Sequence, residues 1–245
     1  MDTRCRHFDP GISSLFKEPD FFFIIINQSL VAKQFYSFLI VKLKHQGIAV
    51  IAVFSGVYVC ASLGGSGHLN PAVTIADAVK SGDWSKAPVF IGAQFAGAMT
   101  GALLAWLSYR KHFDATADAD GQLAVFCNAP AIKSTADNLI TEIIGTFALV
   151  FGAFSISGAK MNDTAFSLGA LDALPVALLV LGIGLSLGGS TGYAINPARD
   201  LGPRIMHFIL PIKNKRDSNW GYSWIPVIGP VIGGVIAALV YKAIH

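Results

Sequence analysis

The chain has 245 residues, of which 53% are hydrophobic and only 13% charged, and its mean hydropathy is +0.56. Soluble domains carry roughly 25% charged residues, so the composition excludes an ordinary water-soluble domain and makes lipid the expected solvent. A net charge of +3 with basic residues scattered among loops excludes a nucleic-acid partner, and the isolated Cys5, Cys60 and Cys127 exclude a disulfide framework or a zinc site.

A bilayer-spanning helix needs about 20 largely apolar residues. Residues 1–46 form an atypical N-terminal segment. Within it Phe21–Val41 has the length of a span but carries Asn27, Gln28, Lys33 and Gln34, which are expensive in hydrocarbon. No short cleavable leader with a small-residue exit site is expected. The rest, 47–245, reads as one domain. Ile48–Leu63 is uncharged but short. Ser85–Tyr109, Leu139–Gly158, Ala173–Gly188 with its flank, and Tyr222–Ile244 all qualify as spans. The predicted fold class is therefore an all-α membrane protein with six transmembrane helices, the first of them atypical. The linking loop Ser108–Asn138 mixes acids and bases and suggests no chemistry. Lys213, Lys215 and Arg216 read as a solvated loop.

Two apolar pieces, Ala72–Val79 and Ala198–Leu210, are too short to span. Each follows the tripeptide Asn-Pro-Ala: Asn70, Pro71, Ala72 and Asn196, Pro197, Ala198. Asn is a favoured N-cap, and Pro suits the first helical position, where its missing N–H would have no partner anyway. Both pieces are thus predicted to be capped half-helices. Short interrupted segments at matching places in two halves point to a binding site or pore. Each half runs helix, helix, half-helix, helix, and three spans per half forces opposite orientations, hence an inverted repeat. Lys and Arg divide almost evenly between the two sides, so charge bias does not orient the chain.

Suppose the two half-helices enter from opposite faces and meet at their N-termini. Each N-terminus carries roughly half a positive charge, and the Asn70 and Asn196 amides point donors into the same space. Cations, hydronium included, are repelled. A water that offers its oxygen to both amides turns its hydrogens away, which breaks a proton wire. The lead-in loops Gly64–Leu69 and Gly188–Ile195 are glycine-rich. The backbone of Gly64, Gly65, Ser66, Gly67, His68, Gly192 and Ala194 is expected to line the pore with carbonyl acceptors. Arg199, one turn into the second half-helix, would grip hydroxyls and reject cations.

The stretches "SGHLNPAVT" and "GYAINPARDLGP" resemble those of the major intrinsic proteins, the aquaporins and glycerol facilitators, over about Ile51–His245. The resemblance implies six tilted helices plus two half-helices, a homotetramer in the cell membrane, one pore per subunit, and no cofactor or metal. Asp200 after Arg199, Gly184 where water-only channels usually place His, Tyr193 before the second Asn, and Pro226-Val227 all match glycerol facilitators. They imply a wide filter with one aromatic face and one Arg199 face. Counting back from Tyr58, the family's second-helix filter aromatic falls on Ala49, a departure. Glu142 matches the carboxylate that holds the second pore loop in the family. Its first-half counterpart has only Gln34-Phe35 as an echo. The first repeat is therefore expected to have lost or replaced part of its opening helix, through a frameshift or truncation or, alternatively, genuine divergence.

Plainer readings exist for several of these residues. They are a snorkelling arginine for Arg199, a proton relay for Glu142, packing for Tyr193 and a simple donor for His68, and the pore roles fit the pattern better. Gly97 and Gly101, and Gly229 and Gly233, have the spacing for close helix contact. The expected function is passive conduction of glycerol, small polyols and some water. The alternatives are a non-conducting remnant and a coupled secondary transporter, for which Glu142 is the sole intramembrane acid near the site. No enzyme constellation is present in the sequence.

Overall fold

The structure is a computed structural model that describes the backbone of residues 42–157, 160–161, 164–165 and 169–245, and side chains over 50–156 and 169–245. The predicted span 21–41, the Gln34-Phe35 echo and the side chain of Ala49 lie outside the described residues.

The helices in chain order are α1 (Lys42–Ser62), α2 (Pro71–Ser81), α3 (Ala87–Ala115), α4 (Ala119–Phe126), α5 (Thr135–Ser157), α6 (Ala173–Thr191), α7 (Pro197–Ile209) and α8 (Ile225–Ile244). A two-residue hairpin, Lys160–Met161 with Thr164–Ala165, and a 3-10 turn at Gly169–Asp172 connect α5 to α6. Among the described residues, four segments have the length and apolarity to cross a bilayer: Ala87–Ala115, Thr135–Ile156, Gly169–Thr191 and Ile225–Ile244. They keep Leu104, Leu107, Ile140, Ile144, Leu178, Leu185 and Ile236 exposed. Such an outer surface suits lipid rather than water.

Several helix limits differ by a few residues from the sequence reading, and three differences matter here. Helix α3 passes the predicted end at Tyr109, where the backbone leaves helical geometry (φ −115°, ψ 18°), and continues to Ala115. Helix α6 runs to Thr191, so Gly188 and Gly189 are helical rather than loop. The loop between α3 and α5 contains a helix of its own, α4, capped by the Asp118 carboxylate.

Half-helices α2 and α7 have 11 and 13 residues. At 1.5 Å per residue they extend about 16 and 20 Å, well short of a ~30 Å hydrocarbon core. Each packs more extensively on the closing helix of the other half than on its own: α2 on α8, and α7 on α3. This exchange interlocks the halves. It also requires very close backbone approach. A Cβ on Gly234 of α8 would stand 2.9 Å from the Ala72 carbonyl oxygen, and one on Gly233 would meet the α5 backbone at Ile143 and Phe147. The α5–α8 pair, the most extensive among the described residues, depends on that missing Cβ.

Candidate functional site

Both half-helices begin as their tripeptides dictate. Asn70 (φ −146°, ψ 120°) and Asn196 (φ −156°, ψ 110°) are extended N-caps, each followed by Pro. Asn70 Oδ1 accepts from the Ala72 amide at 2.9 Å. Asn196 Oδ1 accepts from the Ala198 and Arg199 amides at 3.0 and 3.2 Å. With the oxygen so engaged, each NH2 must face outward, and there the two motifs cross. Asn70 Nδ2 donates to the Ile195 carbonyl at 2.7 Å, and Asn196 Nδ2 donates to the Leu69 carbonyl at 3.0 Å. Each Asn thus bonds the residue just before the other. Since an amide NH2 has two hydrogens, one on each Asn remains beyond this pair of bonds.

A cavity of about 140 Å³ adjoins the crossing and is lined by Asn70, Asn196, Arg199, Gly67, Leu69 and Ala194 together with Ile195 and apolar side chains of α1, α2, α5 and α6. The N-caps of both half-helices and Arg199 line it, and the positive helix ends disfavour cations there while leaving neutral solutes unopposed. Of the residues predicted to line the pore by backbone, Gly67 and Ala194 line this cavity. Ser66 and His68 line a separate one of about 290 Å³. Gly64 and Gly65 instead complete the last turn of α1, their amides donating to Ala61 and Cys60. Gly192 caps α6 in a left-handed conformation (φ 76°). Among the described residues, Tyr193 and Gly184 are not part of the cavity lining. Tyr193 is buried with Leu149, Val180, Ile183 and Ile195, and Gly184 is buried in α6.

The second lead-in loop is bent sharply. Tyr193 (φ 44°) and Ile195 (φ 40°) are non-glycine residues in the left-handed region, each costing about 1–3 kcal/mol. The bend presents donors to Glu142, which is fully buried on α5. One carboxylate oxygen accepts from Thr191 Oγ1 at 2.6 Å and the Ala194 amide at 3.0 Å, and the other accepts from the Ile195 amide at 2.7 Å. Bonds to a charged acceptor contribute about 1.5–3 kcal/mol each, enough to hold a loop strained to this degree.

Several residues in the assembly make contacts that the sequence reading does not assign. Gln94 of α3, fully buried, donates from Nε2 to the His68 carbonyl at 2.8 Å and to Thr74 Oγ1 at 2.9 Å, tying the first loop to its half-helix. Arg204 and Asp200 form a fully buried pair in which Nε and Nη2 meet Oδ1 at 2.8 and 2.7 Å. Their i, i+4 spacing is the one signal that could have exposed this pair. Asn128, from the linker after α4, meets Arg199, Asp200, Arg204 and Gly192. No local pattern distinguishes it. Lys215 is not simply solvated: Nζ donates to the carbonyls of His207, Phe208 and Leu210 at 2.7–2.8 Å, closing the C-terminus of α7. Arg216 pairs with Asp120 of α4. Among the described residues there is no cluster of His, Cys, Asp or Glu that could hold a metal ion.

Comparison with known proteins agrees with this geometry. The family model described as "Major intrinsic protein" matches residues 19–241, a range that starts upstream of Ile51. The "Probable glycerol uptake facilitator protein" of Thermotoga maritima is 50% identical over 193 residues, covering 78% of this chain and 80% of that protein. The "Glycerol uptake facilitator protein" of Streptococcus pneumoniae strain R6 is 53% identical over 193 residues, with the same coverage of 78% and 80%. That of Bacillus subtilis is 45% identical over 194 residues, covering 79% of this chain and 68% of that one. Among solved structures, the aquaglyceroporin from Plasmodium falciparum superposes with a TM-score of 0.79 at 26% identity, over 93% of this chain and 96% of that one.

Proposed function

We propose that this chain, which belongs to the major intrinsic protein family, is a passive channel carrying glycerol and other small neutral solutes, with some water, across the cell membrane. The observation that carries the reading is the reciprocal crossing of Asn70 and Asn196 beside a cavity that Arg199 also lines. The glycerol facilitators at about half identity support the choice of solute.

The physical sequence of events follows from the groups present. A solute sheds water as it enters, and Arg199 supplies fixed N–H donors to its hydroxyls. At the crossing, the remaining Nδ2 hydrogens of Asn70 and Asn196 bond one oxygen from two directions, so a water there cannot pass a proton along the file. The positive ends of α2 and α7 repel cations without obstructing neutral molecules. On this reading the filter is completed by Tyr193, Gly184 and Ala49, of which Gly184, lacking a side chain, leaves width. Glu142 and Asp200 are structural: the first holds the bent loop, the second anchors the region behind Arg199. The chain assembles as a homotetramer with a pore in each subunit.

Reconstitution in liposomes with light scattering after a glycerol gradient tests the channel. Glycerol entry well above that of empty vesicles and indifferent to an imposed pH gradient is expected. Flux no greater than that of empty vesicles, or flux that follows the pH gradient, overturns it. Chemical cross-linking in detergent should end at four subunits.

A further inference from the structure

We propose that Asn128 is a specificity-determining positioning residue, which docks the Arg199 guanidinium against the second pore loop and so sets the balance between glycerol and water passage. The inference rests on the channel reading above.

Asn128 is buried, and all four of its polar groups are engaged. Its side-chain Oδ1 accepts from Arg199 Nη1, and its Nδ2 donates to the Gly192 carbonyl at 2.9 Å. Guanidinium groups only donate and carbonyls only accept, so a single amide orientation satisfies both neighbours. The backbone is pinned as well. Its N–H donates to Asp200 Oδ2 at 2.7 Å, and its carbonyl accepts from Arg204 Nη2 at 2.9 Å. Asp200 and Arg204 are themselves fully buried and paired, so the amide has no path of retreat. The receiving loop is cut to fit: a Cβ on Gly192 would stand 3.2 Å from both Asn128 Cγ and Nδ2.

Arg199 has a long side chain with considerable rotamer freedom to lose. In a constriction, a docked guanidinium presents its remaining donors at fixed points. Glycerol needs several donors and acceptors at once to replace its lost hydration, whereas water needs fewer and tolerates displacement. Releasing Arg199 therefore hinders glycerol more than water.

The test compares glycerol and water permeability in the same vesicles, because their ratio cancels the number of folded channels. Asn128→Ala, which keeps both backbone contacts, is expected to lower the glycerol-to-water ratio by about threefold or more. Asn128→Asp retains an acceptor for Arg199 and is expected to stay nearer the unmodified ratio. In an Arg199→Val background, Asn128→Ala should produce no further change. An unchanged ratio in Asn128→Ala, an equal fall in Asn128→Asp, or the same fall without Arg199 would each overturn the proposal. If Asn128→Ala yields no folded channel, Asn128→Ser goes through the same comparison, with an unchanged ratio again decisive against the idea. Absence of glycerol flux in the unmodified protein would instead remove the channel reading itself.

Discussion

The loop leading into α2 and the loop leading into α7 reach the same end by different chemistry. Three residues before its Asn, each chain turns left-handed: Gly67 (φ 69°) in the first loop, Tyr193 (φ 44°) in the second. Glycine adopts that backbone freely, while Tyr193, and Ile195 after it, must be held there. The first loop is secured by a neutral amide, Gln94, on the His68 carbonyl. The second is secured by the Glu142 carboxylate on two backbone amides and a hydroxyl. Three residues after each Asn-Pro start the pattern diverges again, with Val73 on α2 and Arg199 on α7. Strain in the second loop thus accompanies bulky side chains and a charged residue beside the cavity, whereas the first loop supplies mainly backbone.

The largest break in this comparison should come from Glu142→Ala. Three buried donors would lose their acceptor at about 1–3 kcal/mol each, so a loss of about 4 kcal/mol or more is expected. Thermal unfolding followed by gel filtration in detergent would read it, and a stability within error of the unmodified protein would mean the loop does not need the carboxylate. Gln94→Ala, the corresponding cut on the first side, should cost about 2 kcal/mol for two bonds of ordinary strength. If the two variants lose equal stability, the claimed difference in how the loops are held is wrong. Arg199→Val makes the second half-helix copy the first at that position. A unit charge about 8 Å away at an effective dielectric of 20 contributes about 2 kcal/mol to a cation barrier, so potassium leak should rise on the order of 30-fold, measured as dissipation of a potassium gradient in vesicles. The smallest effect is expected from Gly67→Ala. Its Cβ would meet Val57 Cγ1 at 3.2 Å in a backbone that disfavours it, with a cost of about 1–2 kcal/mol visible as a lowered thermal midpoint.

Much of the framework was legible because it depends on local rules. An uninterrupted apolar stretch of bilayer length reads as a helix, since no other structure satisfies a single segment's backbone internally in lipid. Asn followed by Pro caps a helix wherever it stands, so the starts of α2 and α7 could be read directly. Helix ends were less legible. Gly188 and Gly189 looked like loop because glycine weakens helices, yet α6 retains them. Arg204 offered an i, i+4 partner to Asp200. Asn128 and Gln94 offered nothing, as their contacts lie 64–76 and 20–26 residues away in sequence.

By itself, then, the sequence determined the solvent of this protein, the two half-helices with their caps, and the matching order of elements in the two halves, because hydropathy and capping act over a few residues. Only the tertiary structure decided that each Asn amide reaches the opposite loop, that Gly233 and Gly234 let α8 close on α5 and α2, and that Arg199 is docked by a distant asparagine. Those contacts join residues remote in the chain, and their geometry follows from how the helices pack, which no short stretch of sequence contains.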